Sequence, residues 1–368
     1  MLCCKECFSS PTLRCLISEK GTSGDCECCM AQKVPVVEAR TLAGSFGWID
    51  DVYYAADELD ETNVDGTCVR VKGKRLSDLV QTDWQLFSDG FRQDMRERFL
   101  KVVMPEDDRG KELWGRRREI AAHPSMVEQW QAIGGNLVNS RRFFPDVEIR
   151  DRDWPKQLHA QGEFAPLWAS TLKWLPPILE RLAGHLPAQA YWRARINKDG
   201  RREPYPACKM GPPPPDEATG GRANPHGIPY LYLASDITTA ISEVRSGMGA
   251  YVTVGEFELK GKLKIADFMM PQSFKDPFAC AWVKGKVPIE LESIELIRHF
   301  NTIMSTPMSK SDRELDYLPT QYLSELILIM GFDGIKYESA LGTGFNVVIF
   351  KPSLAAVKGK PQLHKVRL

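Results

Sequence analysis

One turn, one strand and one short helix follow each other within residues 220–245, and this stretch constrains the fold most. Two glycines open the turn, where they allow positive φ or the close approach of a ligand to the backbone. Residues 228–234 are apolar and aromatic apart from one proline, which is typical of a buried strand. Ser235 or Asp236 can then cap a helix over residues 237–245. The stretch predicts a mixed α and β unit that brings polar groups of the turn, strand and helix together.

Further motifs with strand or helix character flank this stretch. In chain order the motifs are YWRARI at 191–196, GGRANPHGIPYLYLAS at 220–235, LPTQYLSE at 318–325, GFDGIKYES at 331–339 and NVVIF at 346–350. Together they resemble the RES (Arg-Glu-Ser) domain, the toxin of a bacterial toxin–antitoxin class that degrades NAD. The resemblance covers about half the chain, from Tyr191 to the C-terminus. It departs from the family at Ala223, where tryptophan is common.

Five residues match motifs of this family, and the resemblance implies a role for each. Arg193, Glu243 and Ser339 match the three residues that name the family. Arg222 and Tyr232 match its Gly-Gly-Arg and tyrosine motifs. The resemblance also implies an α+β C-terminal domain with the general plan of ADP-ribosyltransferases. It implies NAD as the substrate and a cognate antitoxin as a protein partner.

Cleavage of NAD at the nicotinamide–ribose bond builds positive charge on the ribose as the neutral base departs. A carboxylate beside the ribose can stabilise that charge, as in glycoside hydrolysis, and Glu243 is the candidate. The diphosphate needs cations, which Arg193 and Arg222 can supply as forked donors. The candidate catalytic residues are Glu243, Arg193 and Tyr232, whose ring can stack on nicotinamide. The candidate NAD-binding residues are Arg222, Arg195, Ser339 and Asn346.

Each of these residues also has a purely structural interpretation. Arg222 could brace its turn by donating to carbonyl groups, and Ser339 could hydrogen-bond within its own loop. Glu243 could form an ion pair with Arg245 on the exposed side of a helix. We expect Tyr230, which shares a strand face with the tyrosine motif, to belong to the core. Taken singly, the structural interpretation is favoured for each residue, whereas the ordered set favours a ligand site.

The predicted function is degradation of NAD, with water as acceptor in a hydrolase or inorganic phosphate as acceptor in a glycosyltransferase. Neither a Gly-x-Gly-x-x-Gly nor a Walker A motif is present, so the sequence does not favour a dehydrogenase or an NTPase. One alternative keeps the fold but transfers ADP-ribose to a macromolecule. Another makes the N-terminal region an RNA-binding or RNA-cutting module and the C-terminal domain a sensor.

Seven of the ten cysteines lie within the first 29 residues and include two Cys-x-x-Cys pairs. Cys4 with Cys7 and Cys26 with Cys29 form the pairs, and eighteen residues separate them. Two such turns, each giving two thiolates, predict a closed tetrahedral zinc site of the structural type. Cys3 or Cys28 could replace one ligand. A disulfide cluster would need an oxidising compartment, and a redox pair would need a βαβ context.

Residues 36–186 contain several stretches in which apolar residues have helical spacing, which predicts a mostly helical domain. These stretches are 76–87, 95–103, 128–138 and 166–182. Pro176 and Pro177 interrupt the last one. Cysteine pairs followed by helices resemble the HEPN-like domain that precedes some RES toxins. Arg118 and His123 have a spacing seen in HEPN ribonucleases, but we expect this pair not to be catalytic.

The length and charge of the chain bear on its domain organisation and partners. The chain has 368 residues and a formal net charge of +0. We expect a zinc knuckle at 1–35, a helical HEPN-like domain at 36–186 and a RES domain at 187–368. The balanced charge leaves no basic footprint, so a nucleic-acid partner is not expected. No apolar run is long enough to span a bilayer, and no signal-peptide core is present. These features favour a cytoplasmic protein without membrane contact.

Overall fold

The structure is a computed structural model, described over residues 1–55, 62–64, 67–69, 73–104, 113–117, 124–140, 142, 174–198, 200–281, 285–306 and 314–366. The chain forms two compact units. The first contains Met1–Val127 and Met270–Leu296, and the second contains Glu128–Met269 and Ile297–Leu368. Each unit is therefore discontinuous in sequence.

The first unit begins with a small antiparallel sheet beside the cysteine pairs. Its strands are Leu2–Cys4 (β1), Thr22–Gly24 (β2) and Val34–Glu38 (β3), in the order β1-β3-β2. The helix Pro11–Lys20 connects β1 to β2, and the Ser10 hydroxyl caps it by accepting from the amide of Leu13. A proline in the first turn suits this position, because the amide it lacks would have no partner within the helix.

The rest of the first unit combines short helices and short strands around an aromatic core. The helices are Trp48–Val52, Leu76–Trp84 and Gln93–Val103. The strands are Tyr53–Ala55 (β4), Thr62–Val64 (β5), Thr67–Val69 (β6) and Trp114–Arg116 (β7), paired as β4–β7 and β5–β6. The buried ring of Phe99 contacts the rings of Phe8, Phe46, Phe87 and Phe91. The helix predicted at 95–103 is confirmed, whereas the stretch 76–87 is helical only over Leu76–Trp84, because Gln85 has a left-handed backbone with φ 53° that ends the helix. Strands of three residues show too little alternation to be detected.

The second unit is built on an eight-stranded mixed sheet. Its strands are Ala183–Gly184 (β8), Tyr191–Ile196 (β9), Leu231–Ala234 (β10), Tyr251–Leu259 (β11), Ile265–Asp267 (β12), Gly334–Glu338 (β13), Phe345–Ile349 (β14) and Ala355–Lys365 (β15). The order is β15-β11-β9-β10-β14-β13-β12-β8, with β12 and β13 parallel and the other neighbours antiparallel. Mixed helix and strand content of this kind agrees with the α+β expectation.

The remaining helices are Met126–Asn139, Leu175–Arg181, Ile237–Glu243, Lys286–Ser305 and Leu318–Ile329. Short 3-10 helices are Lys5–Cys7, Ala39–Ser45, Ala207–Lys209, Pro215–Glu217, Gln272–Lys275, Pro277–Ala279, Glu314–Tyr317 and Pro352–Leu354. Pro176 and Pro177 lie in the first turn of the helix Leu175–Arg181, where proline is tolerated because the amides lack intrahelical partners. Residues 166–173 of the predicted helical stretch lie outside the described residues. Gly331 follows Leu318–Ile329 with φ 82°, as expected of a glycine just after a helix end.

Alternation along two neighbouring strands of the second unit builds its core on one face of the sheet. Leu231 and Leu233 of β10 pack with Val347 and Ile349 of β14. Successive side chains of a strand point to opposite faces, so Tyr232 points away from this core. The sequence period therefore places Tyr232 on the face where the candidate site lies.

Sequence patterns in the second half of the chain agree with the observed elements. The alternation of residues 251–259 predicts a strand with the bounds of β11, and the pattern at 289–303 predicts a helix that the structure extends to Lys286–Ser305. The pattern at 320–330 predicts a helix that is observed as Leu318–Ile329. The Arg118 and His123 pair lies outside the described residues. Within the described part of the chain, no helix is both long enough and apolar enough to cross a membrane.

Candidate functional site

Glu243 is the last residue of a short helix that begins with a strong cap. The Asp236 carboxylate accepts hydrogen bonds from the amide and the hydroxyl of Thr239, each at 2.8 Å. This cap satisfies a free amide at the helix start and fixes the direction in which the helix leaves β10. The helix contacts β9 and β10, so its final carboxylate lies beside the central strands.

The Glu243 carboxylate is held by two side chains from the far end of the sequence. Its Oε1 accepts hydrogen bonds from Ser339 Oγ at 2.7 Å and from Asn346 Nδ2 at 2.6 Å. The Ser339 hydroxyl is itself fixed, because the amides of Leu341 and Gly342 donate to it. Hydrogen bonds to a charged carboxylate are short and strong, so the group has one fixed orientation. The structure thus brings three of the predicted residues together.

The ion pair that sequence reasoning allowed for Glu243 is not formed. Within the described part of the chain, the hydrogen bonds of Glu243 go to Ser339 and Asn346, and Arg245 is not among its partners. Both bonds use Oε1, and no described residue donates to Oε2. That second oxygen is therefore available to a ligand.

A cavity of about 240 Å³ contains this carboxylate. Its lining includes Trp192, Arg193, Tyr232, Glu243, Tyr337 and Asn346. Two opposite charges and three aromatic rings thus meet around one small space. Aromatic walls with a few converging polar groups are typical of a ligand pocket.

Arg193 of β9 is the cation of this cavity. Its Nη1 is buried and receives no acceptor from any residue that the structure describes. Burial, together with the nearby charge of Arg195, lowers the pKa of Arg193 from 12.5 to about 10. The group is still charged at neutral pH, and a buried donor without a partner is costly. An anionic or carbonyl group of a ligand would satisfy it.

Arg195 lies on the same strand, but its side chain does not line the cavity. It is exposed, its Nη1 donates to the carbonyl of Lys209 at 2.6 Å, and its guanidinium lies 5.1 Å from the ring centre of Tyr205. These contacts direct Arg195 toward the loop that contains both partners. The structure separates Arg195 from the cavity that Arg193 lines.

Tyr232 forms part of the cavity wall while its hydroxyl is held by the preceding turn. The hydroxyl donates to Asn224 Oδ1 at 2.7 Å and accepts from the amide of Ala223 at 3.2 Å. Burial raises the pKa of Tyr232 to about 12, so the phenol is neutral at ordinary pH. Tyr230 belongs to the core as expected, since it is buried and packs against Phe350 with ring centres 5.0 Å apart.

The turn before β10 is held by close contacts with a helix. Gln321 Nε2 donates to the carbonyls of Gly221 and Asn224, at 2.9 and 3.1 Å. A Cβ on Gly221 would lie 2.7 Å from Asn224 Oδ1 and 2.9 Å from the Tyr232 hydroxyl. The glycine is required here for close approach, because an added methyl group would overlap atoms that are fixed by hydrogen bonds.

Arg222 lies in this turn and lines a second, larger cavity of about 660 Å³. Its Nη1 donates to the carbonyl of Met304 at 2.6 Å, which is the bracing contact that the sequence allowed. Its positive charge also opposes the burial that raises the pKa of Tyr232 and Tyr337. Arg222 therefore lies near both tyrosines while facing a different cavity from Arg193.

Tyr337 and Trp192 are site residues that the sequence did not single out. Tyr337 is buried, and that burial raises its pKa far above the ordinary value for tyrosine. It lies on β13 two residues before Ser339, so strand alternation was the available signal. Trp192 adjoins Arg193 on β9 and lines the same cavity. Both are aromatic residues of the kind that usually belong to a core, so the sequence did not indicate that they line a cavity.

The four cysteines of the two pairs converge on one point in the first unit. The Sγ atoms of Cys4, Cys7, Cys26 and Cys29 all lie within 4.8 Å of one another. The separations are 3.8 Å for Cys4–Cys7, 3.6 Å for Cys4–Cys29 and 3.5 Å for Cys7–Cys26. A tetrahedron with Zn–S bonds of about 2.3 Å has sulfur atoms about 3.8 Å apart. This geometry fits a four-thiolate metal site, and none of the four cysteines forms a disulfide.

A comparison with protein-family models supports the expected RES domain in the C-terminal half of the chain. Residues 190–367 match the family model described as the RES domain. This range includes Arg193, Arg222, Tyr232, Glu243 and Ser339. The crystal structure of the M. tuberculosis MbcT–MbcA toxin–antitoxin complex is similar, with 14% sequence identity and a TM-score of 0.31, over 52% of this chain and 91% of that chain. No curated protein matches.

Proposed function

We propose that the second unit cleaves NAD at the bond between nicotinamide and ribose. One observation carries the proposal. A carboxylate held by Ser339 and Asn346 lines the same cavity as a guanidinium whose buried Nη1 has no acceptor among the described residues. The RES match over residues 190–367 supports it, because the resemblance implies NAD as substrate.

The geometry suits a reaction that develops positive charge on a sugar. When the glycosidic bond breaks, its electron pair leaves with nicotinamide, and the ribose carbon becomes electron-poor. Glu243 is oriented through Oε1, so Oε2 can stabilise this charge or hold a ribose hydroxyl. Water or inorganic phosphate then forms the new bond to the ribose carbon. When water is the acceptor, the proton that it loses passes to the solvent. Ser339 and Asn346 act by positioning the carboxylate.

The remaining lining groups fit the other parts of the substrate. Arg193 is charged and its Nη1 is buried, so it would interact strongly with a phosphate oxygen. The rings of Trp192, Tyr232 and Tyr337 provide flat surfaces for nicotinamide. Because the Tyr232 hydroxyl is already hydrogen-bonded, its ring has a fixed plane before substrate binds.

Product analysis tests this proposal. The purified full-length chain is incubated with NAD in the presence and absence of inorganic phosphate, and the products are identified by mass. Free nicotinamide with ADP-ribose indicates hydrolysis, and the phosphorylated sugar product indicates phosphorolysis. ADP-ribose found attached to a macromolecule would favour transfer of ADP-ribose instead. Intact NAD in every condition would contradict the proposed reaction.

We also propose that Cys4, Cys7, Cys26 and Cys29 bind one structural zinc ion. The support is the sulfur geometry and the chemistry of the donor set, since four thiolates are a common zinc ligand set. Four protein ligands leave no open position, so the ion would stabilise the first unit and take no part in the reaction. Metal analysis of protein prepared under reducing conditions tests this.

A neutralising antitoxin is proposed from the family resemblance, and co-expression of a neighbouring reading frame tests it.

A further inference from the structure

The larger cavity of the second unit is formed partly by a helix that lies outside the RES match. Its lining includes residues of Met126–Asn139 on one side and Arg222 with residues of Leu318–Ile329 on another. The RES match begins only at residue 190. With about 660 Å³, the cavity has the size of a site for a nucleotide-sized ligand. The helix therefore adds a binding surface that the RES match does not include.

Two adjacent glycines shape the helical wall. A Cβ on Gly134 would lie 3.2 Å from the ring of Pro319, so this glycine permits close packing of two helices. A Cβ on Gly135 would meet no atom within 4 Å, although the residue lines the cavity. The helix is anchored by the buried Trp130, whose ring lies 4.9 Å from that of Phe300. Packing thus fixes the position of this helix, and no atom fills the space beside Gly135.

The polar groups of this cavity suit a nucleoside phosphate. Arg222 uses Nη1 for the Met304 carbonyl, and no other acceptor for it is found among the described residues. Burial lowers the pKa of His299, so its imidazole is neutral at pH 7 and Arg222 is the cation of the lining. Asp316 also lines the cavity, and a carboxylate commonly accepts from ribose hydroxyls. Tyr317 supplies an aromatic ring for a base.

The turn that carries Arg222 contacts residues of both cavities, since Arg222 itself lines the larger one. Its neighbours Ala223 and Asn224 bond the hydroxyl of Tyr232, which lines the smaller cavity. A space of about 240 Å³ is below the range of about 300–1,000 Å³ that drug-sized ligands occupy, so it suits only part of a dinucleotide. The other part of the dinucleotide then needs a second site, and the larger cavity includes Arg222 of the same turn.

We propose that the larger cavity binds the adenosine phosphate half of NAD, with Arg222 on the phosphate. This inference rests on the proposed function, because it assigns the second half of that substrate. The nicotinamide riboside half then occupies the smaller cavity beside Glu243. Met126–Asn139 becomes a substrate-binding element supplied by the sequence that precedes the RES match.

Binding of AMP tests the inference without using turnover. Gly135→Trp places a large side chain at the open wall, and Ala132→Trp, at an exposed position of the same helix that does not line the cavity, is the matched control. Calorimetry on the full-length chain should show AMP affinity lowered at least tenfold by Gly135→Trp and unchanged by Ala132→Trp. Circular dichroism and thermal unfolding check that each variant folds. Gln131→Trp, at another exposed lining position, replaces Gly135→Trp if that variant does not fold.

A second measurement separates this inference from the proposed function. With NAD and with nicotinamide mononucleotide, which lacks the adenosine phosphate, Gly135→Trp should raise the KM for NAD at least tenfold more than that for the mononucleotide. Equal AMP affinity in all three proteins, or no AMP binding by the unmodified chain, overturns the inference even if NAD is cleaved. Absence of NAD cleavage by the unmodified chain contradicts the proposed function, while AMP affinity still shows whether the cavity is a nucleotide site.

Discussion

The hydroxyl of Ser339 donates a hydrogen bond of 2.7 Å to Oε1 of Glu243, although 96 residues separate them in the chain. The same oxygen accepts from Asn346, and the serine is fixed by two amides of its own turn. The carboxylate is therefore oriented before any ligand binds. Preorganised groups of this kind are effective because they need no rearrangement during reaction.

Loss of the serine hydroxyl should slow turnover without destroying the site. A hydrogen bond to a charged group contributes about 1.5–3 kcal/mol, so Ser339→Ala should lower kcat roughly ten- to hundredfold. KM should change little, and Ser339→Thr should restore most of the rate because it retains the hydroxyl. Ser242→Ala, which removes an exposed hydroxyl that bonds within the helix, is the control. An equal effect of Ser339→Ala in a Glu243→Gln background would argue against positioning through Glu243.

Removal of the carboxylate charge should affect catalysis more than binding. Glu243→Gln should lower kcat by about a hundredfold or more while NAD affinity changes little, because the charge that it stabilises appears only as the bond breaks. Glu258→Gln, at an exposed position of β11, is the matched control. Turnover is compared with NAD affinity from calorimetry. Near-normal turnover by folded Glu243→Gln would contradict the catalytic role.

Arg222→Ala should fail in a different way from Glu243→Gln. Phosphate charge is present in both the ground state and the transition state, so loss of Arg222 should raise the Kd for NAD at least tenfold. A smaller fall in kcat is also expected, because a misplaced substrate reacts more slowly. Calorimetry with NAD measures the change. Unaltered NAD affinity would remove Arg222 from the binding site.

Arg193 should be needed for function and unfavourable for stability. Its buried Nη1 lacks an acceptor among the described residues, and a buried unsatisfied donor costs about 1–3 kcal/mol. Arg193→Met should therefore unfold at the same temperature as the natural chain or at a higher one, while NAD affinity falls at least tenfold. Thermal unfolding and calorimetry give the two values. A large loss of stability would show that the guanidinium is satisfied in the folded protein.

The raised pKa of Tyr232 predicts a loss of stability at high pH. Burial raises this pKa from 10.0 to about 12, so between these values the unfolded phenol loses its proton while the folded one keeps it. The free energy of unfolding must then decrease with rising pH over that window. Tyr232→Phe should show a smaller decrease than the natural chain between pH 10 and 12. Parallel curves from denaturant titrations of the two proteins would contradict this assignment.

The zinc proposal predicts a defect confined to one unit. Cys26→Ser should abolish binding of one zinc ion per chain, and it should loosen the first unit while the second stays folded, because each unit has its own core. Cys15→Ser, which changes an exposed cysteine outside the cluster, is the control and should retain the metal. Elemental analysis measures zinc, and limited proteolysis measures the state of each unit. Zinc in Cys26→Ser at the natural level would contradict the proposed ligand set.

Local pattern in the sequence was sufficient for several of the longer elements, and the family resemblance singled out several of the residues that line the candidate site. Alternation and terminal glycines predicted β11 and the helix Leu318–Ile329, because strand and helix periods are set by the backbone alone. The spacing of the cysteine pairs predicted four converging sulfur atoms, since each pair fixes two ligands locally. The capped helix predicted the position of Glu243 for the same reason.

Only the tertiary structure decided what each of these side chains contacts. Arg193 and Arg195 belong to the same face of one strand by sequence period, yet the first lines a cavity with its Nη1 buried and the second donates to the carbonyl of Lys209. Arg222 faces the larger cavity, which includes a helix from outside the RES match. A local period determines which residues share a face, but the groups that cover that face come from distant parts of the chain. Their positions follow from how the whole core packs, which no short stretch of sequence encodes.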